Sequence, residues 1–204
     1  DGALPSRMWA GHLNIAEEGE EDQMLFYWFC EAEQTEPSES PVALWTNGGP
    51  GSDSLGGFFT ELGPFIANEH DNGATLRRNP YTWNLIANML YLTHPTGIGY
   101  SYSADDVNVH TDESDGADNA KFLRKFFAAY PEFATNEFWL TGAAICATLA
   151  AKETAFYSGR TRVLARLGYH SCRLQLRCEV TDLSTLQCER SLAGESYAGT
   201  YSSQ

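Results

Sequence analysis

Gly194-Glu195-Ser196-Tyr197-Ala198-Gly199 fits G-x-S-x-G, the pattern that presents a nucleophilic serine on a sharp strand-to-helix turn. Such a turn is strained and needs small neighbours, which Gly194, Ala198 and Gly199 supply. Acyl transfer at Ser196 also needs backbone N–H groups aimed at the developing oxyanion, and one of them is expected from the following residue, Tyr197. The second is expected from Gly49, within Asn47-Gly48-Gly49-Pro50-Gly51, where the missing side chain lets the backbone approach a substrate carbonyl. A Gly/Ser-rich surface turn is the plain alternative for residues 194–199, but it leaves that second glycine loop unexplained. In folds with this turn the acid and the histidine of a triad follow the serine, and residues 197–204 hold no Asp, Glu or His. The expectation is a chain that carries an incomplete catalytic set.

Upstream of the turn, Met8 to Ile15 and Gln23 to Glu31 read as the two strands of an antiparallel hairpin around the acidic run Glu17-Glu18-Gly19-Glu20-Glu21-Asp22. Pro41 to Thr46 is a short apolar run that ends in the glycine loop, as a buried parallel strand ends in a functional loop. Asn88 to Thr93 and Glu137 to Thr141 are further buried-strand candidates. Between them, Ser114 or Asp115 is expected to cap a helix whose apolar positions Ala117, Ala120, Phe122, Leu123, Phe126, Phe127 and Tyr130 recur at helical spacing until Pro131. A hairpin followed by strands alternating with helix makes an α/β sheet.

The chain has 204 residues, 43% of them apolar and 13% aromatic, enough to bury one substantial core. A formal charge of −14 with 13 basic residues argues against nucleic acid as a partner. No run reaches the ~20 apolar residues of a membrane helix. Asp1-Gly2-Ala3-Leu4-Pro5 lacks both a start Met and a signal-peptide core, so the N-terminus is expected to be missing or processed.

Gly11-His12-Leu13, Leu25 to Phe29, Leu44 to Gly51, Glu61-Leu62-Gly63-Pro64, Asn79 to Asn84, Gly97 to Ser103, Phe138 to Gly142 and the serine turn follow one another in an order that resembles the N-terminal part of the serine carboxypeptidases, a branch of the α/β-hydrolase fold. The resemblance implies a central sheet with flanking helices, here incomplete at its C-terminal side, and release of C-terminal residues from peptides through an acyl-enzyme on Ser196. It implies a peptide or protein substrate with a free C-terminus. It further implies that Asn47 donates to that terminal carboxylate, that Trp45 helps shape the subsite, and that a protonated glutamate, Glu61 or Glu195, shares a hydrogen bond with it. Two carboxyl groups in one dry site do not both stay charged cheaply, so binding is expected to favour acid pH. The plain alternative for Glu61 is a solvated helix-end residue. Secretory, lysosome- or vacuole-like, or extracellular placement follows from the resemblance alone.

Departures from the family pattern stand beside these matches. Ser52-Asp53 replaces the usual cysteine and serine, so a disulfide that anchors the loop in the family is absent, and Asp53 brings a charge near the oxyanion donor. Thr93-His94-Pro95-Thr96 replaces a more usual acidic-small-Pro-small run. Chain order and strand-end position make His94 a structural rather than a catalytic histidine. His12, His70, His110 and His170 carry no motif.

The largest departure is internal, because Ala143 to Gly194 places 52 residues between Gly142 and Glu195, where the family strand runs straight into its serine turn. From Ala143 to Ala193 there are seven of the 13 basic residues and four of the 27 acidic ones, a net charge of +3 against −17 for the rest. Residues 1–142 are therefore expected to form the family-like part, 143–193 an atypical insertion, read as translated intron or an inserted domain, and 194–204 a truncated nucleophile turn. A helix over Lys152 to Leu167 is compatible with the pattern. Cys146, Cys172, Cys178 and Cys188 lie in the insertion, but without a C-x-x-C pair no metal site is expected. No phosphate-binding glycine loop is present, so no cofactor is expected. Two other readings remain open, an acyltransferase that passes the acyl group to a small alcohol and a noncatalytic binding protein on the same fold.

Overall fold

The computed structural model describes residues 4–48, 51–105 and 109–143, together with the backbone of three strands within 161–192. Strands β1 (Met8–Asn14) and β2 (Gln23–Cys30) form the hairpin, in antiparallel register from Met8 opposite Cys30 to Asn14 opposite Met24. Its turn residues Glu17 to Asp22 are exposed, as their charge requires. Strand β3 (Val42–Thr46) is followed by a short α-helical turn, α1 (Leu55–Gly57), that passes directly into a π-helical turn at Phe58–Leu62. A small antiparallel pair, β4 (Phe65–Ala67) and β5 (Leu76–Arg78), precedes β6 (Asn88–Thr93) and the short β7 (Tyr102–Ser103). Helix α2 (Asp112–Ala129) leads to β8 (Phe138–Ala143), and β9 (Thr161–Arg166), β10 (Leu174–Asp182) and β11 (Thr185–Leu192) follow.

The main sheet has the order β1-β2-β6-β3-β8-β9, with β7 beside β2. It is antiparallel through β1, β2 and β6, and parallel from β6 through β3 and β8 to β9. β10 and β11 pair antiparallel apart from it, with Cys178 in register with Cys188. Parallel strands at the centre are buried on both faces, and every residue of β3 and β6 is buried.

The period of two sorts the side chains into two layers. Phe29, Leu90, Leu44 and Leu140 are register partners across β2, β6, β3 and β8, and they face one core. Helix α2 closes that core with Phe122, Leu123, Phe126 and Phe127, the helical-period positions read from the sequence. Burying each such side chain is worth roughly 1.5–3 kcal/mol. On the opposite face Cys30, Ala43, Trp45, Met89 and Tyr91 pack under Leu55, Phe58 and Leu62. The π-helical turn thus roofs the C-terminal ends of the parallel strands.

Two expectations need correction. The cap of α2 is Thr111, three or four residues ahead of the expected Ser114 or Asp115. Its hydroxyl accepts from the Ser114 N–H while the Ser114 hydroxyl accepts from the Thr111 N–H, so Ser114 is the third helical residue of a reciprocal capping box. The helix compatible with Lys152 to Leu167 is replaced at Thr161–Arg166 by β9, which adds to the free edge of β8 in parallel register, with Phe138 opposite Thr161. An unpaired strand edge offers a row of backbone donors and acceptors, and that satisfaction outweighs a weak helical preference. Residues 152–160 and 167 lie outside the described residues.

Candidate active site

The site is built where β3 ends. Trp45 is the last bulky side chain on the π-helix face of β3 and is 1% exposed, with its ring 5.6 Å from that of Trp83 in an edge-on arrangement. Its indole N–H donates to Asn47 Oδ1 at 2.6 Å. An indole nitrogen can only donate, so this bond fixes which end of the Asn47 amide is oxygen and leaves Nδ2, with its two hydrogens, to act elsewhere. The Asn47 backbone N–H donates to Ser54 Oγ at 3.1 Å, and Ser54 is itself buried. Asn47 is therefore held by both its main chain and its side chain.

Gly57 makes this contact possible. A Cβ at position 57 would lie 2.7 Å from Asn47 Oδ1 and would collide with the Trp45 indole nitrogen. The far end of the π-helical turn is tied down as well. Asn79 Nδ2 donates to the carbonyls of Glu61 (3.1 Å) and Gly63 (2.9 Å), and the Thr82 hydroxyl donates to that of Leu62 (2.9 Å). Glu61 sits on this turn with its side chain exposed and free of hydrogen bonds and ion pairs among the described residues. The expected group is thus assembled in part: Trp45 and Asn47 are in contact, while Glu61 shares the covering turn but is not bonded to them. Gly49, Glu195, Ser196 and Tyr197 lie outside the described residues.

Asp53 is a participant that the sequence flagged only as an unusual charge. Its Oδ1 accepts from the Leu55 N–H and from the Thr93 hydroxyl, both at 2.9 Å. The loop after β3 is thereby fastened to the end of β6. Gly99, at φ +52°, lies against the same carboxylate, since a Cβ there would be 2.5 Å from Asp53 Oδ2. The carbonyl of Thr93 accepts from Ser101 Oγ at 2.6 Å, and Ser101 Oγ accepts from the Phe26 N–H at 2.8 Å. The glycine turn after β6 is thus knitted to both β2 and the β3 loop.

His94 lies buried immediately after the end of β6. It is 6% exposed, and its Nδ1 lies 2.8 Å from Asp115 Oδ1 and 3.2 Å from Asn119 Nδ2, both on α2. His12 is exposed and contacts the Tyr100 carbonyl at 2.8 Å, while His110 Nε2 lies 3.0 Å from the Thr96 carbonyl. Beneath the π-helical turn Tyr91 is fully buried, and burial holds its phenol well above the ordinary value. Burial likewise pushes up the thiol of Cys30 on the same sheet face. Among the described residues no group of three or more His, Cys, Asp or Glu side chains is placed to hold a metal ion.

A mixed sheet with its parallel strands at the centre, one covering helix and a strand-end loop prepared for a ligand define a portion of an α/β-hydrolase. A prohormone-processing carboxypeptidase from Saccharomyces cerevisiae has a similar structure, with a TM-score of 0.62 at 24% identity over 78% of this chain and 38% of that one. The chain belongs to the serine carboxypeptidase family, whose description matches residues 1–146. It is 44% identical over 136 residues to the lysosomal protective protein of Mus musculus, covering 67% of this chain and 27% of that protein. It is 42% identical over 148 residues to serine carboxypeptidase 1 of Hordeum vulgare, covering 70% of this chain and 29% of that protein. The matched part therefore spans less than a third of the length of these relatives. Among the described residues no helix is long and apolar enough to cross a membrane.

Proposed function

We propose that this chain carries the carboxylate-binding half of a serine-type carboxypeptidase site, which releases C-terminal residues from peptides through an acyl-enzyme on Ser196. The observation that carries the reading is the Trp45–Asn47 hydrogen bond, which turns the Asn47 amide so that Nδ2 is free to donate to a substrate carboxylate. Gly49 and Tyr197 would hold the oxyanion, and Glu61 and Glu195 are the candidates for the protonated carboxyl beside the terminal carboxylate. A free peptide C-terminus is the substrate feature recognised. A secretory, lysosome- or vacuole-like compartment is proposed with it, supported by the relative named as lysosomal.

Residues 143–193 are proposed to interrupt the segment that should run from β8 into the serine turn. The extent of the family match, which stops at residue 146, supports this. An interruption at that point favours a second reading, a noncatalytic protein that still binds peptide ends. The test measures amino-acid release from N-blocked dipeptides by the purified protein, with Ser196→Ala as control and a small alcohol supplied as a competing acceptor. Release abolished by the substitution supports the peptidase, and ester formation supports the acyltransferase. Binding of free but not amidated C-termini without turnover supports the noncatalytic reading, while no binding of either overturns the carboxylate site.

A further inference from the structure

Strands β10 and β11 run in continuous antiparallel register from Leu174 opposite Leu192 to Val180 opposite Leu186, and the register shifts only beyond that point, between Val180 and Asp182. Successive residues of a strand belong to opposite faces, so this register sorts the hairpin into two faces. Cys178 and Cys188, directly opposite each other, share a face with Leu174, Val180, Leu186 and Leu192, and Arg190, opposite Leu176, is the one charged residue among them. The other face is polar, with Gln175 opposite Ser191, Arg177 opposite Glu189 and Glu179 opposite Gln187. A slip of one residue would bring the apolar set of one strand onto the polar set of the other. The alternation in the sequence therefore specifies the same register that the backbone adopts, and that register puts the two cysteines together.

Directly opposed residues of an antiparallel pair have Cα atoms about 4.5 Å apart where they are not hydrogen-bonded to each other and about 5.5 Å apart where they are. Both spacings fall within the roughly 4.4–6.8 Å that a disulfide spans. We infer that Cys178 and Cys188 form a disulfide that staples β10 to β11, an oxidative modification site outside residues 1–146, the part that matches the family. Its formation joins the two sulfurs and passes two electrons and two protons to an acceptor, for which a small-molecule disulfide such as oxidised glutathione suffices. One cysteine thiolate attacks that disulfide and releases the first glutathione, and the second cysteine then displaces the other. Cys30, a free thiol buried in the main sheet, is sequestered from this exchange. The pairing rests on the hairpin register and not on the carboxypeptidase reading.

The test equilibrates the purified 204-residue chain with reduced and oxidised glutathione, quenches it with acid and alkylates the free thiols. Digestion with trypsin and a glutamyl endopeptidase places the five cysteines in separate peptides for mass spectrometry. The Cys178 peptide joined to the Cys188 peptide is the expected cross-link. Cys172 lies nearer to Cys178 in sequence than Cys188 does, and closure of a flexible loop depends only weakly on its length, so in urea the two pairings should form to similar extents. In buffer Cys178–Cys188 should exceed Cys172–Cys178 at least about tenfold. Moving one thiol to the polar face, with Cys188→Ser and Gln187→Cys together, should return linkage to Cys178 to the level seen in urea. Alkylation of both thiols in buffer, a preference for Cys146 or Cys172, the same pairing ratio in buffer and urea, or undiminished linkage in the moved variant overturns the inference.

Discussion

Trp45 donates its indole hydrogen to Asn47 across two residues of chain, at the point where a buried strand gives way to a loop. The pair converts a flexible amide into a directed donor, because the only hydrogen Trp45 has to offer selects the oxygen end. Trp45→Phe preserves most of the buried ring and removes the bond, at a cost of about 1 kcal/mol in stability. The amide is then free to present oxygen to a carboxylate. Asn47→Ala removes the donor altogether. A hydrogen bond to a charged group contributes about 1.5–3 kcal/mol, so affinity for a peptide with a free C-terminus should fall roughly tenfold to a hundredfold in Asn47→Ala, and by less in Trp45→Phe. Affinity for the amidated peptide should not change. If both variants bind free and amidated ends as the parent does, Asn47 is not the carboxylate donor.

Gly57 is required by contact rather than by backbone conformation. A methyl group there meets Asn47 Oδ1 and the Trp45 indole nitrogen at once, and both are held in place. Gly57→Ala should cost about 1–3 kcal/mol as an overpacking change. It should lower the Tm by several degrees and weaken binding of free C-termini together. Gly11→Ala is the contrast, since a Cβ at that strand position meets nothing within 4 Å. Thermal melts of both variants check the pair, and equal Tm values would remove the steric argument.

Much of the fold is legible in the sequence because a single period explains it. The spacing of Phe122, Leu123, Phe126 and Phe127 states which face of α2 is buried, and the short apolar runs at β3 and β6 are buried on both faces, as they read. What is not legible depends on partners far apart in the chain. Asp53 reads as an intruding charge near a glycine loop, yet it accepts from Thr93, 40 residues away, and so joins two departures from the family pattern into one contact. Asn88 reads as the first residue of a strand, but its buried amide accepts from the Ala32 N–H and donates to the carbonyls of Pro37 and Ser40. Gly57 carries no motif, and only the shape of what lies over it shows why it is small. The cap of α2 is not legible for a local reason, since Thr111 and Ser114 are both good caps and the reciprocal bonds between them decide which one is used.

The core under α2 should respond to truncation as a close-packed interior does. Phe126 is fully buried and touches rings on three sides, with centroids 5.2 Å from Phe29, 5.4 Å from Phe127 and 4.8 Å from Tyr130. Phe126→Ala should cost about 3–5 kcal/mol. Ala128→Ser, at an exposed position two residues later on the same helix, should stay within about 0.5 kcal/mol. Urea denaturation followed by far-UV circular dichroism gives both values. A loss under 1 kcal/mol for Phe126→Ala would mean that α2 does not pack on this face of the sheet.

Alkaline pH should loosen this protein in a defined order. Burial raises the Cys30 thiol and the Tyr27 and Tyr91 phenols, and the Tyr27–Tyr130 hydroxyl bond adds to the rise at Tyr27. In the unfolded chain these groups return to about 8.5 for cysteine and about 10 for tyrosine. Above those values the unfolded chain releases protons that the folded chain keeps, so stability declines as pH rises and is complete below about pH 8.5. Each group removes about 1.4 kcal/mol per pH unit once its unfolded form is ionised. Tm measured from pH 7 to 11 should therefore be flat at first, begin to fall near pH 8.5, and steepen near pH 10. Cys30→Ala, which keeps a small apolar group at a site where the thiol makes no disulfide, should lower the whole curve and move the onset of the fall toward pH 10. A Cys30→Ala curve with the same onset and slope as the parent's would show that the Cys30 thiol does not set the onset of the fall.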